Sequence, residues 1–242
     1  MSVKALRLAL LATCLLSSPA LAQATAGATE APAAVAPAAA FSLAPLPYAY
    51  DALEPLVDAE TMRIHHGRHH QAYVNNLNGF VAATPALAGK SLGDLHQEVS
   101  KHPAVLRNNA GGHYNHTLFW GLMAPKGQGG EPSAELMAQI DKDFGSMEAF
   151  KTAFQAAGAQ RFGSGWAWLV WDGAKLVVTS TPNQDNPLMD DAPVKGAPII
   201  ANDVWEHAYY LKHQSNRGAY LTTWWEVVNW NEVNRLFEAA RQ

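Results

Sequence analysis

Four of the ten histidines fall within six positions, in the run Arg63-Ile-His-His-Gly-Arg-His-His-Gln-Ala-Tyr73. In a helix, His65, His69 and Tyr73 recur every fourth residue and project from one face, while His66 and His70 share an adjoining stripe. Imidazole is the commonest protein ligand for borderline transition metals, and a phenol beside it can move a proton or gate access. The same cluster on an exposed helix would be only a solvated polar face, so further donors are needed to choose. His116 follows in a second helical run, one turn before Trp120, with His113 a turn before that. Two adjacent glycines, Gly111 and Gly112, stand just ahead of them; each costs a helix about 1 kcal/mol relative to Ala, so the pair points to a neighbour that needs the space. A third run, Asp203-Val-Trp-Glu-His-Ala-Tyr-Tyr210, follows an apolar strand and offers Asp203 and His207. The carboxylate supplies the negative charge that neutral imidazoles lack. Three imidazoles with one carboxylate suit Mn, Fe or Zn rather than Ca or Mg.

Bringing three distant segments to one point requires elements to hold them. The pattern predicts a helix starting at 58–61 and running to about 80, with Ile64, Val74 and Leu77 turned to packing. A second helical region spans 91–123 with a break at Pro103, and the two form an antiparallel hairpin. Residues 125–132 are rich in Gly and Pro and mark the boundary between a domain at 41–126 and another at 132–242. Short helices follow at 133–143 and 146–159, the latter with Ser146 as N-cap and Glu148 in its first turn. The signal then changes to strands: 165–171, an Asp172-Gly173 turn and 175–180 read as a hairpin, and 197–202 as a third strand. From Tyr220 to Ala240 the chain is mainly helical, with Asn229 or Asn231 opening the last segment. The expected fold is mostly α, an N-terminal helical hairpin followed by an α+β domain with a small three-stranded antiparallel sheet.

The ends and composition set the context. Residues 1–22 carry Lys4 and Arg7, an apolar core and a small-residue Ala20-Leu21-Ala22 site, which reads as a secretory signal. The expected location is therefore exported, periplasmic or secreted. Residues 23–40 are almost all Ala, Pro, Thr and Gly and read as a tether. The one cysteine, Cys14, lies inside the signal, leaving the mature chain neither disulfide nor thiolate ligand. The formal charge of −4 becomes two units more negative once Lys4 and Arg7 are removed. That balance excludes a basic nucleic-acid face, and no stretch is long and apolar enough for a membrane span.

Six segments together carry a resemblance: 46–55, 64–76, 111–120, 161–170, 183–188 and 203–210, in this order, look like the iron/manganese superoxide dismutase family. The resemblance implies a metal between the two domains, held by His65, His116, Asp203 and His207 with a solvent molecule in the fifth position. It implies that His113 is not a ligand, that His69 and Tyr73 line the substrate entrance, and that the Gln184 amide holds the solvent ligand. Trp120, Trp166, Trp168 and Trp205 would form an aromatic wall, while Trp171, Trp224, Trp225 and Trp230 read as core. Glu206 would reach the partner subunit's His207 and Tyr210 the partner subunit's His69, in a homodimer or a tetramer. Arg217 would be the entrance cation. The substrate implied is superoxide, and the metal manganese rather than iron: the small residue at Gly112 leaves room for Gln184 to enter from the C-terminal domain. Two other classes fit the donors alone, an exported metal-buffering protein and a zinc hydrolase. The first would use exposed His tracts, and the second needs a general base that the sequence does not offer.

Overall fold

The computed structural model describes residues 41–242; the expected signal and tether lie outside the described residues. Helix α1 (Ala59–Ile64) starts where the Asp58 carboxylate accepts the Thr61 amide N–H at 2.8 Å, a cap worth about 1 kcal/mol. The helix then widens over His65–His70, where the Gln71 N–H bonds the His66 carbonyl five residues back, and resumes as α2 (Gln71–Ala82). This π turn was not visible in the spacing; such turns commonly mark functional sites.

Helix α3 (Leu92–His96) is opened by a reciprocal Ser91–Asp94 capping box. Pro103 supplies the break the sequence suggested, and α4 (Ala104–Gly121) begins just after it. Leu77 and Val81 of α2 pack with Leu106 and Ala110 of α4 and Leu95 of α3, making the hairpin. Helices α5 (Ala134–Phe144) and α6 (Met147–Gln160) are capped by Ser133 and Ser146. Between them Gly145 adopts a φ of 87°, a left-handed stop that suits glycine.

The sheet has the order β2-β1-β3, all antiparallel, with β1 (Gly165–Trp171), β2 (Leu176–Pro182) and β3 (Ala197–Asp203). Six successive β1 residues are buried, as a central strand covered on both faces requires. The register places Asp203, the last residue of β3, opposite Trp166. Helices α7 (Tyr210–His213), α8 (Arg217–Thr223) and α9 (Trp230–Ala240) complete the chain. Of the two candidates for the last start, Asn229 is the cap, its side chain accepting the Glu232 N–H.

The Gly/Pro-rich stretch does not interrupt the packing. One core joins Leu53, Met62 and Phe119 from before it to Phe154, Trp166, Ile200 and Trp224 from beyond it. Trp225 and Trp230 belong to that core, whereas Trp171 is only half-buried, edge-on to Phe237. None of the described helices is long and apolar enough to cross a membrane.

Candidate metal centre

Four side chains from four elements converge. His65 comes from the π turn, His116 from α4, Asp203 from the end of β3, and His207 from the short turn Glu206–Ala208. Their ligand atoms all lie within 4.8 Å of one another. The Nε2 atoms of His65, His207 and His116 stand 3.1, 3.4 and 3.6 Å from Asp203 Oδ2. These approaches lack hydrogen-bond geometry: none of the four atoms has a hydrogen-bond partner, though all are buried. Orphaned buried polar atoms are costly, and four aimed at one point form a cradle for a cation.

The protonation states fit that use. The His116 Nδ1–H donates to the Gly112 carbonyl at 2.7 Å, so Nε2 keeps its lone pair. Burial pushes His65 down to about 4, helped by His207, and takes His116 well below its ordinary value. Burial would raise the Asp203 carboxyl, but the His207 and His65 imidazoles hold it below the usual carboxylate range. Its other oxygen, Oδ1, accepts the Trp205 N–H at 2.8 Å, which leaves Oδ2 to the cluster. The donor set is three imidazole nitrogens and one carboxylate, which suits a divalent or trivalent transition metal.

The surrounding groups orient these donors. Trp120 stands edge-on to His65 with centroids 4.9 Å apart, Trp166 edge-on to His116 at 5.2 Å, and Trp205 stacks on His207 at 5.5 Å. Trp168 lies one layer further out, stacked on Trp166 and bonded through Nε1 to Thr181 Oγ1. Gln184 is buried, accepts the Trp166 Nε1–H at 3.0 Å, and donates from Nε2 to the Tyr73 hydroxyl at 3.0 Å. Burial, with Asp203 adding to it, raises the Tyr73 phenol to about 12 despite the Gln184 bond, so it carries its proton at neutral pH. His69 and Tyr73 are only half-buried, as is His207, whereas His65, His116 and Asp203 are fully buried. His69 stacks on His207 at 4.3 Å, and burial followed by His207 lowers its pKa.

The double glycine has two neighbours rather than one. A Cβ on Gly111 would meet the Gln184 backbone carbonyl at 2.1 Å, and one on Gly112 would meet the Tyr73 ring at 2.6 Å. The space expected for Gln184 at Gly112 is thus filled by Tyr73, and the Gln184 loop approaches one residue earlier.

His66, His70 and His113 are held outside the cluster. The His66 ring is within hydrogen-bond distance of the Ala44 carbonyl and the Tyr50 hydroxyl. Trp120 Nε1–H donates to His70 Nδ1, so His70 donates from Nε2 to His113 Nδ1 at 2.8 Å. Arg217 also stands apart. Its guanidinium donates to the Tyr209 hydroxyl and to the carbonyls of Gly158, Arg161 and Gly163. Among the described residues no hydrogen bond joins it to the four ligands, Tyr73 or Gln184. Glu206 and Tyr210 are exposed beside His207. Sequence reading missed Asn115 and Asn186: Asn115 Nδ2 donates to the Gln184 carbonyl and to its Oε1, and Asn186 bonds Asn115 in turn. The only signal was that both amides sit inside runs already dense in site residues.

Together these features outline a candidate site for one metal ion, three imidazoles and one carboxylate, seated between a helical hairpin and a three-stranded sheet. Residues 40–124 match the alpha-hairpin domain of iron/manganese superoxide dismutases and residues 132–236 match the C-terminal domain. A protein named superoxide dismutase (Mn) from Acinetobacter baylyi is 53% identical over 203 residues, 84% of this chain and 89% of that protein. One of the same name from Listeria monocytogenes is 50% identical over 205 residues, 83% of this chain and 99% of its own. The chain belongs to the iron/manganese superoxide dismutases.

Proposed function

We propose that this protein is a superoxide dismutase working with manganese held by His65, His116, Asp203 and His207. The observation that carries the reading is the set of four buried, partnerless ligand atoms with the Gln184–Tyr73 pair at its edge. When bound, the metal supplies the one-electron couple: an electron from one superoxide, which leaves as dioxygen, passes with two protons to a second, which leaves as hydrogen peroxide. The chain contributes orientation, potential and protons. Asp203 is the one anionic donor, so three imidazoles and one carboxylate leave a net positive centre that attracts an anionic substrate. Gln184 spends one N–H on Tyr73 and keeps the second for the solvent ligand. Tyr73 holds its proton at the hydroxyl on the solvent side, where His69 can replenish it.

Manganese is favoured over iron because Gln184 reaches the centre from the β2–β3 loop and Tyr73 fills the space at Gly112. The relatives named above carry manganese in their names. Loading the purified chain separately with Mn and Fe, then measuring bound metal and superoxide turnover, tests this directly. Turnover with Mn, and loss of both metal and turnover in His116→Ala, are expected; a folded Mn-loaded chain without turnover rejects the enzyme.

Two further parts of the proposal concern assembly and address. Leu211 is 55% exposed and Tyr210 43%, two consecutive large side chains left at the surface. With Glu206 exposed beside them, this is the face on which a second copy would bring Glu206 to the partner subunit's His207. Sedimentation of the purified chain decides between monomer, dimer and tetramer. Residues 1–22 direct export, so the N-terminus of protein recovered from the periplasm or medium should begin near Gln23.

A further inference from the structure

His96 is fully buried at the end of α3, far in sequence from the metal ligands, yet it is tied to the Gln184–Tyr73 pair beside them by an ordered series of amides. Asn186 Nδ2 approaches His96 Nε2 at 3.3 Å and Asn115 Oδ1 at 3.0 Å. Asn115 Nδ2 approaches Gln184 Oε1 at 3.3 Å, and Gln184 Nε2 approaches the Tyr73 hydroxyl at 3.0 Å. All four residues from His96 to Gln184 are at most 1% exposed, so no solvent offers them alternative partners.

The direction of every bond is determined. Asn186 Oδ1 accepts the Leu188 backbone N–H at 3.0 Å, which fixes Nδ2 as the donor end of that amide. Its two N–H groups are then committed, one to Asn115 Oδ1 and one to His96 Nε2. His96 must therefore be the tautomer with its proton on Nδ1 and a lone pair on Nε2. Nδ1 faces the Ala110 carbonyl without a well-formed hydrogen bond. With Asn186 so oriented, Asn115 presents Nδ2 to Gln184, and Gln184 presents Nε2 to Tyr73 and to the metal side. Burial lowers the His96 pKa to about 4, which keeps the accepting lone pair at neutral pH.

We propose that His96 is a positioning residue for the reaction, the terminal acceptor that takes the second Asn186 N–H and so holds Asn186, Asn115 and, through them, the Gln184 amide in place. The inference rests on the reading of Gln184 as the amide that holds the solvent ligand. A leucine at 96 would fill the space but leave one Asn186 N–H buried without an acceptor, so that Asn186 shifts about its remaining bond from the Leu188 N–H and slackens its hold on Asn115 and the Gln184 amide.

The test uses the full Mn-loaded protein with His96→Leu and His96→Gln, the latter restoring an acceptor oxygen. His96→Leu should bind a full complement of Mn, lower kcat about three- to tenfold, less than the ~10- to 100-fold typical for a direct partner of a ligand, and shift the visible absorption band and midpoint potential of the Mn. His96→Gln should return all three toward the unsubstituted values. Asn186→Ala breaks the same link from its other side and must reproduce the leucine shifts, which keeps the test open should His96→Leu not fold. A leucine variant that loses thermal stability but keeps the band, potential and kcat overturns the proposal and leaves His96 a packing residue. The band and potential answer whether or not the unsubstituted protein turns over superoxide, so failure of the enzymatic reading is separately recognisable.

Discussion

Gly111→Ala separates helix propensity from site geometry, because the two act in opposite directions. On propensity alone, the exchange should stabilise α4 by about 1 kcal/mol. The added Cβ, however, would sit 2.1 Å from the Gln184 backbone carbonyl and 2.9 Å from Met189 Cε. The methionine can swing away, but the carbonyl belongs to a buried backbone segment. Ordinary contact begins near 3.4 Å, so helix or loop must recede by about 1.3 Å. Overpacking of this kind costs about 1–3 kcal/mol, and more when the obstacle is backbone. The net expectation is a loss of about 1–2 kcal/mol, which for a chain of this size lowers Tm by roughly 2–8 °C. The same recession moves Gln184, and a displacement of about 1 Å at a reacting centre costs on the order of 100-fold in rate. Calorimetry of the metal-loaded variant and turnover per bound metal measure the two effects together. Gly79→Ala in α2 is the control: nothing lies within 4 Å of its Cβ, so it should simply gain stability. A Gly111→Ala protein with a raised Tm and unchanged turnover per metal would show that the close approach has no role in holding Gln184.

Tyr73→Phe removes the acceptor for Gln184 Nε2 and the hydroxyl proton but no ligand; it should keep the metal and lose roughly tenfold or more in turnover. Loss of metal instead would mean that the phenol supports the ligands. Stripped of metal, the protein should be acid-labile: burial holds His96 near 4 and His70 near 3, against 6.5 for an ordinary histidine. Between pH 6.5 and about 4 the unfolded chain binds the extra protons, so stability falls as pH falls, by about 1.4 kcal/mol per unit for each such group. Urea midpoints that stay flat from pH 7 to 4 would contradict this. Arg217→Lys keeps the charge but loses the fork that clasps Tyr209 and the 158–163 carbonyls; it should unfold about 1–3 kcal/mol more easily while retaining most of kcat/KM. Equal loss of kcat/KM in Arg217→Lys and Arg217→Met would rule out a steering role for the charge.

Much of this site was legible in the sequence because its chemistry is concentrated in short runs with strong local signals. Asp58, Ser133 and Ser146 announced helix starts, and Gly165–Trp171 with the Asp172-Gly173 turn after it read as the first strand of a hairpin. The imidazoles and Asp203 were recognisable by type, and the double glycine correctly implied a close neighbour. What stayed hidden depends on long-range pairing. Nothing local to Gly111 or Gly112 says which neighbour meets which glycine, since Gln184 is 73 positions beyond the first. Arg217 looked like a free cation because its acceptors are backbone carbonyls, which have no signature in sequence. His96, alone on a five-residue helix, gave no hint of Asn186, 90 positions away.

The widened turn at His65–His70 bears on what kinds of change this stretch can undergo. It fits one extra residue between the segment that presents His65 and the segment that presents Tyr73. Gly67, inside it, has open space where a side chain would be, so many letters are acceptable at that position. Removing the position altogether is a different matter: a deletion would close the widened turn into a regular helix of about 100° per residue and change the direction in which His69 leaves the axis relative to His65 and Tyr73. Along this helix the length of the turn is more strictly constrained than the identity of the residue at 67, and a library that varies length there should yield folded hairpins in which His69 no longer stacks on His207.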